Sequence, residues 1–385
     1  MTVKGKKGKF YFIHHQDYIQ DTSSKSGVNE VTIYGALVTN VHKQEKKWHV
    51  SWTLLDEDLA TGGMVEVSNS LTFDAVVIAS GHYHTPLVPD IPGLAHAKEQ
   101  WPSLITHSKS FRNSKGFEDK NVLLIGGGVS SMDIAREISP LARTIYQSTR
   151  GGTFDIPAVA LPENASRVEE VANFQINKSP DDLHQSLPIT VHLKSGQTLG
   201  SIDRIVLCTG YQMALPFFPQ YNNNSLSVTE ADQSVLVTDG TQIHNLHRDI
   251  FYIPDPSLVF VGIPFYTATF TLFEFQAIAV AEFFSGNTKL PSTGEMRKEY
   301  LEKLRIKGFR RNFHSLKGEE DAYVISLLDW VNSERDRRGL SPIEGHTGSW
   351  IEAKEQQIER LNQLFQGSLK LYNPEVSARE IEVSA

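Results

Sequence analysis

The residues best suited to chemistry are Gly126, Gly127 and Gly128, followed by Ser130 and Ser131. They come directly after the apolar run 122–125 and directly before a helix-like segment, 132–138. Strand, glycine turn and helix in that order open a dinucleotide-binding βαβ unit. Gly126 allows the tight turn, and Gly128 lets the backbone approach a pyrophosphate. The helix N-terminus supplies free N–H groups and the positive end of its dipole. About twenty residues further on, at the end of the next strand, an acid would accept from the ribose hydroxyls of NAD. This chain has Ser148, Thr149 and Arg150 there, and no acid before Asp155. Arg150 can pair with a dianionic 2′-phosphate while Ser148 and Thr149 donate to it, which favours NADPH.

These residues need a scaffold, and the flanking sequence suggests one. Ser80 and Gly81 close one apolar run, and Thr209 and Gly210 close another of the same form: apolar strand, small residue, hydroxyl residue, glycine. Small residues at the carboxyl end of a strand let a dinucleotide or a crossing chain come close. Either run alone reads equally well as an ordinary buried strand. As a pair bracketing one glycine turn, they point to a nucleotide domain inserted within another domain. Upstream, 31–41 and 47–54 alternate as neighbouring strands joined by the charged turn 42–46. Pro86, Pro89 and Pro92 enforce an extended connection. Further strands are expected at 144–148, 189–192 and 258–262. Helices are expected at 272–285, 294–307, 319–332 and 348–365.

The 385 residues are enough for two domains. A net charge of −8 argues against a nucleic-acid partner. The basic start at Lys4–Lys9 reads as a solvated end with no apolar region of a signal peptide behind it. A single cysteine, Cys208, excludes a disulfide framework and fits a reducing, cytoplasmic setting. The apolar stretch 260–284 is broken by Pro264, Glu274, Gln276 and Glu282, so no membrane span is expected. The polar tail from Glu375 offers no anchor, and no spaced Cys/His cluster calls for a metal.

Four pieces together resemble the flavin-containing monooxygenases, the fungal branch in particular, over nearly the whole chain. They are Ala79-Ser-Gly-His-Tyr83, the proline-rich 86–93, the glycine turn 126–131, and Leu207-Cys-Thr-Gly-Tyr211. Phe273-Glu-Phe-Gln-Ala277 is similar to the segment these proteins place near the flavin, and Gln276, on a helix near the aromatics Phe265, Tyr266, Phe270 and Phe273, is a candidate to hydrogen-bond a flavin edge. It implies an α/β fold with two Rossmann-like dinucleotide-binding domains. A domain for NADPH, 113–211, is inserted into one for FAD, formed by 1–112 and 212–385. Two departures accompany it. His107 stands where the family keeps a histidine, but Trp101 and Ser103 stand in place of its Phe and Gly. No counterpart of the family's first FAD glycine motif precedes Asp74, and 8–13 resembles a point well inside the FAD domain. That domain is therefore expected to be incomplete at its N-terminus, lacking its first βαβ unit and the asparagine the family keeps near the flavin.

The implied reaction passes hydride from NADPH to flavin and one atom of O2 to the soft nitrogen or sulfur of a small amine or sulfide. The cofactors carry the hard steps while the protein binds, orients and excludes water, and no side chain is singled out as catalytic. A flavin-free NADPH-binding protein without turnover and a Baeyer–Villiger oxidation of ketones are the alternatives. A homo-oligomer is compatible with either.

Overall fold

The computed structural model describes residues 10–57, 64–152, 154–177 and 186–364. Lys4–Lys9 and the tail from Glu375 lie outside them. The chain divides into two compact units, one of 1–75 with 216–220, the other of 76–215 with 221–385.

The first unit holds helix α1 (Phe10–Lys25) and strands β1 (Leu37–Gln44), β2 (Lys47–Glu57) and β3 (Met64–Phe73), an antiparallel sheet in that order. The charged turn forms where expected, with Gln44 opposite Lys47 and Glu45 at φ 54°. Trp48 is fully buried and Trp52 nearly so. Trp48 meets Phe218 edge-on at 6.1 Å, and the Val41 N–H donates to Phe217 O at 2.7 Å. The third strand was not anticipated. Val65, Val67, Leu71 and Phe73 do alternate, but all four stay exposed, so polar neighbours dilute the signal.

The second unit opens with β4 (Val76–Ile78), β5 (Thr85–Pro86), α2 (Leu94–Gln100) and β6 (Ile105–His107). Then come β7 (Asn121–Ile125), α3 (Val129–Ile138), β8 (Thr144–Ser148), β9 (Ala165–Val168), β10 (Val171–Ile176) and β11 (Ile189–Leu193). β12 (Thr198–Leu199), β13 (Arg204–Leu207), β14 (Tyr211–Gln212), β15 (Leu246–His247), β16 (Phe251–Tyr252) and β17 (Leu258–Phe260) complete the strands. Helices α4 (Thr269–Phe284), α5 (Thr293–Lys307), α6 (Glu320–Asp336) and α7 (Gly348–Leu364) close the unit.

A five-stranded parallel sheet runs β6-β13-β7-β8-β9. β7 and β13 are central and apolar on both faces, as a parallel sheet covered on both sides requires. Leu123, Ile125, Ile205 and Leu207 pack toward Leu94, Phe174 and Val191. Val122, Leu124 and Val206 pack toward Ile134, Ala135 and Ile138 of α3. The sheet starts at Ile105, ahead of the expected 113. A second sheet runs β15-β16-β17-β4, with β4 parallel to β17. α4 lies over it against α6, joining Leu272, Phe275 and Ala279 to Val324, Leu327 and Val331. The four C-terminal helices match the periodicities read from sequence. α5 starts with a capping box of Ser292 and Glu295. Among the described residues no helix is long and apolar enough to cross a membrane.

Candidate functional site

β7 feeds the glycine turn, and each glycine answers a different demand. Gly126 sits at φ 126°, and its N–H donates to Ser148 O at 2.8 Å. A Cβ there would lie 2.2 Å from Cys208 O, so the turn is wedged between the ends of β8 and β13. Burial pushes the Cys208 thiol up, and it stays an inert neutral group. A Cβ on Gly127 would lie 2.4 Å from the Asp155 carboxyl carbon. A Cβ on Gly128 would meet nothing within 4 Å. The first helical bond of α3 is Met132 N–H to Gly128 O at 3.2 Å, so the preceding N–H groups have no acceptor within the helix. No acid stands in the first turn, and Ser130 is exposed there. Open space over Gly128 above a free helix N-terminus fits a pyrophosphate.

The other predicted hydroxyls turn away from that space. Ser131 is fully buried; it donates to Gly128 O and accepts from Gln147 Nε2, both at 2.8 Å. Arg167 Nε and Nη2 donate to Gln147 Oε1 at 3.0 and 2.7 Å. Ser131 therefore braces the turn from behind and does not bind phosphate. Ser148 is buried and donates to Glu169 O at 2.8 Å, so it is not a 2′-phosphate donor either. Arg150 is exposed and makes no hydrogen bond or ion pair to any described residue. Gln147 and Arg167 escaped the sequence reading because a buried Gln on an apolar strand resembles ordinary polar scatter.

At the end of β13, it is a crossing chain that comes close. Thr209 Oγ1 donates to Leu87 O, and the Leu87 N–H donates to Gly210 O at 2.9 Å. β14 pairs with β5 beside them. The Thr209 hydroxyl and the Gly210 carbonyl thus hold the 85–87 segment. His107 Nε2 also donates to Gly210 O at 3.0 Å, while its Nδ1 accepts from the Lys109 N–H at 3.0 Å. That pattern needs a neutral imidazole with its proton on Nε2. Ser103 does not take a positive φ, so serine suits the place of the family's glycine.

Burial lowers the His107 pKa from 6.5, and the bond to Gly210 opposes this. A depressed folded-state pKa means stability is fully present above the unfolded value and is lost as pH falls below it. Thermal melts of wild type and His107→Asn should therefore differ most above pH 6.5 and converge as the pH falls below it. A gap that widens in acid would refute the neutral assignment.

The flavin-side candidates lie around the second sheet. Ile78 pairs with Phe260, so Ser80 and Gly81 emerge beside Gly262. With His82, Gln212, Val261 and Ile263 they line one small cleft. Gln276 is fully buried; its Oε1 accepts from the Gly262 N–H at 2.9 Å and its Nε2 donates to Tyr323 at 2.8 Å. Its amide is engaged inside the protein, so it sets the position of Gly262 instead of touching a flavin edge. Two further groups beside this cleft do have unmet capacity. Thr267 Oγ1 and His82 Nε2 are buried without hydrogen-bond partners among the described residues. His82 Nδ1 donates to Gly262 O at 3.2 Å, which leaves Nε2 as an acceptor. Such orphans beside the β17–α4 connection fit a polar ring edge. Arg311 adds a cation, 5.4 and 5.0 Å from the ring centres of Phe154 and Phe265. It lies so far along the chain that no local pattern links it to the site.

The family model for flavin-binding monooxygenase-like proteins matches residues 12–166. The flavin-containing monooxygenase ustF2 of Aspergillus flavus is 48% identical over 345 residues, 88% of this chain and 69% of that protein. The flavin-containing monooxygenase iboF of Amanita muscaria is 28% identical over 84% of this chain and 65% of its own length. Among solved structures, S-allyl-L-cysteine S-oxygenase from Allium sativum superposes with a TM-score of 0.67 at 24% identity, over 96% of this chain and 75% of that one. That likeness supports the fold: mixed α/β with parallel sheets of Rossmann type.

Proposed function

Because the chain belongs to the flavin-containing monooxygenase family, we propose that it uses NADPH, FAD and O2 to oxygenate the soft nitrogen or sulfur of a small amine or sulfide. The observation that carries this is the open space over Gly128, at the free N-terminus of α3, with Arg150 exposed after β8. The turn holds the pyrophosphate by backbone N–H groups, and Arg150 pairs with the 2′-phosphate. Gly81, His82 and Thr267 border the flavin. The bound flavin supplies the redox chemistry and the activated oxygen. The side chains around it orient the substrate and keep water out. No general base is required of them.

Arg150→Ala should weaken NADPH binding by about tenfold to a hundredfold, as loss of a charge-assisted bond does, and leave NADH binding nearly unchanged. Isothermal titration with each nucleotide checks it. An equal loss for both would remove Arg150 from the phosphate site. A panel of amines, sulfides and ketones tests the substrate class: turnover of ketones alone would favour Baeyer–Villiger chemistry.

A further inference from the structure

We propose that Asp155 serves as the ribose acceptor of the nucleotide site, and that the site therefore takes NADH as well as NADPH. This rests on the reading of the glycine turn as a dinucleotide site.

A βαβ unit selects between the two cofactors at the end of its second strand. Here that strand is β8, and its last residues offer little to a 2′-phosphate. Ser148 is bonded to Glu169 O, and Thr149 Oγ1 donates to Asp155 Oδ2. The acid missing from the strand end is returned by the loop that follows. The Gly152 N–H donates to Asp155 Oδ2 at 3.0 Å, and the Ile156 N–H donates to Gly127 O at 2.8 Å. Arg167 Nη2 donates to Ile156 O at 2.6 Å. These bonds fasten the loop to the turn and fix the carboxylate against Gly127. The contact is close enough that a Cβ on Gly127 would lie 2.4 Å from both the carboxyl carbon and Oδ1. Asp155 Oδ1 has no hydrogen-bond partner among the described residues.

A carboxylate beside the first residues of the turn stands where the strand-end acid of such a unit accepts from a ribose 2′-hydroxyl. It favours NADH by that bond and repels a 2′-phosphate. Arg150 attracts the phosphate. With one cation set against one anion, discrimination is small.

The test is titration of the full chain with NADH and with NADPH, without oxygen, for wild type and Asp155→Asn. The amide keeps the volume and can still accept from Thr149. Wild-type Kd values should lie within about tenfold of each other, and the variant should shift the ratio toward NADPH by about tenfold or more, the worth of one charged hydrogen bond. An unchanged ratio in a variant that melts like wild type overturns the proposal. If the variant melts well below wild type, the wild-type ratio decides: NADPH tighter by more than about a hundredfold, a difference of about 2.7 kcal/mol, overturns it as well. Binding of neither nucleotide overturns the dinucleotide reading itself.

Discussion

Asp249→Ala should cost about 3–5 kcal/mol of stability, the usual result of breaking a buried ion pair. Asp249 is fully buried at φ 57°. Lys303 Nζ donates to both its oxygens at 2.6 and 2.7 Å, and His314 Nδ1 donates to Oδ1 at 2.9 Å. His314 is itself fully buried, and its Nε2 accepts from the Ile243 N–H at 3.1 Å. One carboxylate thus ties α5 to the 310–314 turn and, through His314, to the 243 segment. Removing it leaves a buried imidazole N–H without an acceptor and an ammonium without its partner. Urea denaturation should show a lower midpoint at unchanged slope. A loss below about 1 kcal/mol, no more than an exposed pair gives, would mean that the network is not holding these elements. Burial pushes the Asp249 carboxyl up, but Lys303 and His314 together hold it below its ordinary 3.8. A depressed carboxyl contributes its stability above that value. Its share is lost only as pH falls below about 4.

Gly126→Ala and Gly128→Ala should fail in opposite ways. At Gly126 the methyl would enter the Cys208 carbonyl on a central strand, at a φ that L side chains rarely adopt. Strain and overpacking of about 1–3 kcal/mol each should lower the melting temperature sharply, with nucleotide binding lost as the turn shifts. At Gly128, φ is −87° and the methyl meets nothing. That variant should fold like wild type yet bind NADPH at least about tenfold more weakly, because the methyl enters the space proposed for the pyrophosphate. A Gly128→Ala protein with unaltered NADPH affinity would move the nucleotide elsewhere.

Much of this was legible in the sequence, and the limits are physical. Central strands such as β7 and β13 announce themselves because both faces are buried and the apolar run is continuous. The same sequence showed that Gly126 and Gly128 serve different ends. It could not show where hydroxyls point. Ser131, Ser148 and Thr209 have the right type and spacing, yet each bonds a backbone carbonyl. Gln276 sits on the expected helix but faces Tyr323 and Gly262. The strand-end rule of small residue, hydroxyl and glycine proved double-valued: at Gly81 it opens on a cleft, and at Gly210 it admits a crossing chain. Thr267, Arg311 and Asp155 lie on irregular or distant segments that only the fold brings beside the turn and the cleft, and no periodicity records that.

The most direct test of the account is oxygen transfer itself. Purified protein supplied with FAD, NADPH, 18O2 and a simple aryl thioether should form sulfoxide carrying one 18O atom for each NADPH oxidised, and Gly128→Ala should lose that turnover. Failure to take up flavin, or sulfoxide without label, would contradict it.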